Sequence, residues 1–67
     1  MPESSAGAED QMAAAVRAEE QGHFRKAANL FYKAGAQFQT QYGRFDSRAL
    51  DAFEGAARAV RKSALAD

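Results

Sequence analysis

Sixty-seven residues carry nine Lys or Arg against nine Asp or Glu, so the formal net charge is zero, and there is no cysteine and a single histidine. A chain this short builds at most one small domain with little stability to spare, and the missing cysteines exclude disulfides, thiolate metal sites and cysteine nucleophiles. Of the 46% apolar residues, 17 are alanine and five are phenylalanine, a mixture that suits closely packed helices better than strands, which favour β-branched side chains.

Residues 1–7, with Pro2, Ser4, Ser5 and Gly7, show no periodicity and are expected to form a disordered N-terminal segment. A first helix is predicted over about 8–21, with Glu9 and Asp10 facing the positive end of its dipole. Its apolar stripe of Met12, Ala15, Val16 and Ala18 or Glu19 is thin, so its stability must come from docking. Glu19 and Glu20 lie at the unfavourable carboxyl end, where Arg25 and Lys26, just past the turn, are placed to offset them.

Gly22 stands where a tight interhelical turn needs a residue tolerant of positive φ. A second helix is predicted over about 23–42, on which Phe24, Phe31 and Phe38 form a heptad ladder. Ala27, Leu30 and Ala34 flank the ladder on one side and Ala28, Gly35 and Tyr42 on the other, an apolar arc wide enough to serve two neighbours. Gly35 costs a helix about 1 kcal/mol relative to alanine, so a close helix approach or a ligand is the expected return. Tyr32 projects beyond the ladder, open to two readings: an amphipathic ring suited to an interface, or an ordinary half-exposed tyrosine.

Gly43 is expected to end that helix, and Asp46 or Ser47 to cap a third over about 47–65. Phe45, between them, is expected to plug the end of the bundle, with a contact to a partner as the alternative. On the third helix the predicted core stripe is Leu50, Phe53, Ala57, Val60 and Ala64. Beside it runs a row without large side chains, Ala49, Ala52, Ala56 and Ala59, open to two readings: packing residues, or the floor of a groove that admits another helix.

The run Gly22, Phe24, Ala27, Phe31 and Ala34, with Ala15 seven residues ahead of the glycine, resembles the turn and second helix of a tetratricopeptide (TPR) repeat. The TPR proline expected near Gln39 is missing and Gln11 occupies the tryptophan position. A long second helix followed by one more is similar to the MIT domain, the three-helix microtubule-interacting and trafficking module, and Phe53, Ala57 and Val60 match its third helix. The resemblance spans about residues 8–65. It implies an all-α, three-helix bundle and a cytoplasmic adaptor that receives a partner's peptide segment between the second and third helices, in trafficking or membrane remodelling. The peptide-binding residues it implies are Ala28, Gly35, Ala52, Ala56 and Ala59, with Tyr32 on the lip.

Catalysis is not expected. His23 is a lone turn histidine, Asp51 and Glu54 belong to a solvated helix face with Glu54 spaced for an i,i+4 ion pair to Arg58, and no phosphate-cradling glycine loop is present. Neither a cofactor, a metal nor a small-molecule substrate is implied. No signal peptide or membrane-spanning stretch is evident, which makes cytoplasmic residence the expectation. Residues 1–21 are acidic and 22–67 basic; pairing between helices accounts for this better than a nucleic-acid surface of Arg44, Arg48, Arg58, Arg61 and Lys62. The competing reading to a peptide-binding module is a small structural subunit or assembly factor, its apolar strips buried within a larger complex.

Overall fold

A computed structural model describes residues 7–66, which form three α-helices: α1 (Gly7–Glu20), α2 (Phe24–Tyr42) and α3 (Ser47–Ala66). The chain is all-α, a small three-helix bundle, with each helix within two residues of its predicted bounds. Residues 1–6 of the expected disordered segment lie outside the described residues, and Gly7 belongs to α1.

The α1–α2 turn follows from backbone chemistry. The Gly22 N–H donates to the Glu19 carbonyl (3.0 Å) and the His23 N–H to the Ala18 carbonyl (2.8 Å), the paired bonds of a Schellman motif that satisfy the last carbonyls of α1. Its C′ residue must take positive φ, and Gly22 does so at 86°. Gly43, which follows α2, has φ 112° and ψ 157°, a region open to little but glycine. Asp46 then caps α3: its carboxylate accepts the Arg48 N–H at 2.9 Å and the Arg48 side chain at 2.9 and 3.2 Å. The same guanidinium lies 3.7 Å from the centroid of the Tyr42 ring, tying the end of α2 to the start of α3.

Packing is centred on α2, which lies against both other helices, while α1 and α3 approach one another less closely. Phe31 is 2% exposed and is the largest fully buried side chain; Phe38 is buried and Phe24 partly so, as the heptad ladder requires. Around Phe31 lie Ala15 and Ala18 of α1 and Ala56 and Ala59 of α3; a second cluster joins Phe38 and Ala34 to Ala8, Ala49 and Ala52.

The α2–α3 contact is set by two rings lying over two glycines. A Cβ added at Gly35 would fall 2.5 Å from the Phe53 ring, and one added at Gly55 would fall 2.8 Å from the Phe31 ring. Each helix thus lays an aromatic over the bare backbone of the other, and the reciprocal pairs fix an antiparallel register. This is the return on Gly35: close helix approach.

That register turns α3 by one residue from its predicted phase. Ala49, Ala52, Ala56 and Ala59 are each 0% exposed, whereas Leu50 is 46% and Val60 49% exposed, with Ala57 and Ala64 also exposed and Phe53 partly so. The row of small residues is core, and the expected core stripe is mostly surface. Two further expectations are corrected. Val16 is exposed, α1 docking instead through Ala8, Ala15 and Ala18. Phe45 plugs nothing; at 79% exposure its side chain stands in solvent.

Candidate functional site

Among the described residues, an open groove of about 460 Å³ lies between the first half of α2 and the last half of α3. Arg25, Ala28, Asn29 and Tyr32 line it from α2, and Val60, Ser63 and Ala64 from α3. The groove exists because the facing side chains are short while Tyr32 and Val60, each about half exposed, rise on either side. Further along α3, Phe53 continues the apolar surface, its ring centroid 6.1 Å from that of Tyr32 in a tilted contact.

Of the six residues expected to bind a peptide, Ala28 and Tyr32 line this groove. Gly35 lies beneath Phe53, and Ala52, Ala56 and Ala59 are closed over by the chain's own helices, so these four present no surface to a partner. The α3 wall comes instead from Val60, Ser63 and Ala64. Val60 and Ala64 belong to the stripe expected in the core, and the clue to their exposure is Gly55: a helix bringing its glycine-and-alanine face to α2 must turn the adjoining row outward.

Among the described residues, Arg25, the charged side chain lining the groove, takes no part in the ion pairs. Arg58 donates to both carboxylate oxygens of Glu19 at 2.7 and 2.9 Å, and Lys62 adds a contact at 3.4 Å, so α1 and α3 are bridged at one end. Hydrogen bonds from Arg58 hold the Glu19 pKa below its ordinary value; partial burial opposes them and Lys62 reinforces them. Glu19 is therefore offset by α3 and not by Arg25 and Lys26, and Arg58 is taken by Glu19 rather than by Glu54. Of the acidic first part of the chain, Glu19 pairs across the fold with the basic third helix. This engages Arg58 and Lys62, and Asp46 engages Arg48, leaving Arg44 and Arg61 of the five bases considered for nucleic acid. His23 is an exposed turn residue.

Among the described residues no helix is long and apolar enough to cross a membrane, and no three His, Asp or Glu side chains come together as a metal-binding group. In comparison with known proteins, the chain matches no family model, no curated protein and no solved structure.

Proposed function

We propose that this chain is a non-catalytic protein-interaction module that receives a helical segment along the α2–α3 face. One observation carries the reading: the row Leu50, Phe53, Ala57, Val60 and Ala64 keeps the 3-4-3-4 spacing of a helix-packing seam yet remains largely in solvent, beside an open groove with Tyr32 on its lip. In a chain whose core is built mainly of alanines, leaving Leu50 and Val60 about half exposed keeps its larger aliphatic side chains available for association. The likeness of the α1–α2 hairpin to TPR and MIT modules supports the same reading, since Phe24, Ala27, Phe31 and Ala34 all turn at least partly inward and Gly22 supplies the turn. It extends the proposal to adaptor roles in trafficking or membrane remodelling.

The test is nuclear magnetic resonance titration with a synthetic amphipathic helical peptide carrying leucines at heptad positions a and d. Saturable shifts centred on Tyr32, Phe53, Val60 and Ala64, abolished by Val60→Asp with the circular dichroism spectrum unchanged, are expected. Shifts confined to other surfaces would overturn the reading. A permanent structural subunit is the second reading, favoured by Phe45 at 79% and Leu65 at 84% exposure, both outside the groove.

A further inference from the structure

We propose that the helix received on this face is α3 of a second copy, so that the chain forms a symmetric dimer through antiparallel α3 helices. This rests on the outer row of α3 being a helix-docking surface. With Leu50 taken as heptad position a, Phe53 and Val60 are d, Ala57 and Ala64 are a, and Glu54 and Arg61 both fall at e, on the solvent side of the seam. Of the g positions, Ala56 is buried in the chain's own core and Ser63 lines the groove.

In an antiparallel pair, a residues oppose d residues, and the e side of one helix meets the e side of the other. Ala57 then opposes Val60 of the second copy and Phe53 opposes its Ala64, so in these pairs a large side chain meets a small one, while Leu50 falls at the level of the second copy's α3 end. In that register Glu54 lies two residues along the axis, about 3 Å, from the level of Arg61 in the second copy, and the two-fold axis repeats the pair. Glu54 and Arg61 are exposed and have no ion-pair partner among the described residues. A parallel pair would set each e position beside a g position, where Ala56 and Ser63 offer no charge. The seam is thus self-complementary in shape and in charge, as an isologous interface requires, and the charges select the antiparallel orientation.

Sedimentation equilibrium of the full chain tests this, with circular dichroism confirming that each variant is folded. Wild type should dimerise. Glu54→Arg and Arg61→Glu should each weaken the dimer at low salt about tenfold or more by opposing like charges. The double variant should return to within about threefold of wild type, and an equimolar mixture of the two single variants should form heterodimers. A wild-type chain monomeric to millimolar concentration overturns the dimer; if the amphipathic peptide still shifts Tyr32 and Val60, the docking face stands and only the second copy is lost. A dimer unmoved by both charge reversals and by Val60→Asp overturns the proposal by placing the interface elsewhere.

Discussion

The two long rows of α3 differ by a single residue step, about 100° of helix rotation. One holds Ala49, Ala52, Ala56 and Ala59, the other Leu50, Phe53, Ala57 and Val60. By apolar area alone the second belongs inside, yet the first is fully buried and the second is largely on the surface. The difference lies in how the core obtains its bulk. Phe31 reaches across from α2 onto Gly55, and Phe53 returns the contact on Gly35, so the large rings lie against backbone and not against facing large side chains. Leu50 and Val60 pointed at α2 would hold the helices too far apart for either ring to lie over its glycine. Shape at the closest approach decides the phase, and hydrophobic area that does not fit is left on the surface.

The largest expected effect is on the ring that both readings of α3 share. Phe31→Ala removes the side chain around which α1, α2 and α3 meet and should cost about 3–5 kcal/mol, enough to unfold most of the population by circular dichroism at 25 °C. A melting temperature within a few degrees of wild type would remove Phe31 from the centre of the core. Next, Gly55→Ala should destabilise by about 1–3 kcal/mol despite the better helix propensity of alanine, because the new methyl group meets a buried ring. A rise in melting temperature would show that propensity wins and that the ring does not hold the two helices together.

The number of helices, their approximate ends, the glycine turn and the phenylalanine ladder were all legible in the sequence, because each rests on local chemistry: Gly22 at positive φ, Asp46 as a cap, and Phe24, Phe31 and Phe38 one heptad apart. The phase of α3 was not. It depends on which residues another helix sets opposite it, and Gly55, whose importance is apparent only once Phe31 lies over it, looks in one dimension like a mere defect in helix propensity. The candidate site inherited that error. Ala28 and Tyr32 belong to α2, whose phase the ladder fixes, and they line the groove; Ala52, Ala56 and Ala59 belong to α3 and do not.

A smaller effect separates the α1 side from the α3 side of the bundle. Glu19 is held ionised by Arg58 and Lys62, so its folded-state pKa is depressed and it contributes stability at pH values above its unfolded pKa, near 4.5. That contribution is lost as pH falls through 4.5 towards the lower folded value. Glu19→Gln should cost up to about 1 kcal/mol at neutral pH, the exposure of Arg58 screening the pair. It should also flatten the acid limb of a stability profile from pH 6 to 3. Equal loss of stability at every pH would assign Glu19 a packing role only.

The smallest expected change, at Ala57, gives the sharpest test of the phase when it is set beside the same substitution at its neighbour in the chain. Ala56 is 0% exposed within the cluster around Phe31, and Ala57 is on the surface. Ala56→Leu inserts three carbon atoms where no space exists and should destabilise by about 1–3 kcal/mol. Ala57→Leu adds the same atoms to the outer row and should change stability by no more than about 0.5 kcal/mol. Leucine and alanine are both strong helix formers, so the contrast cannot come from propensity. Chemical denaturation of the two variants at a concentration low enough to keep the chain monomeric measures the difference without contribution from association. Equal costs would mean that α3 has no single phase against α2; the reverse order would put the larger row back in the core and take the groove with it.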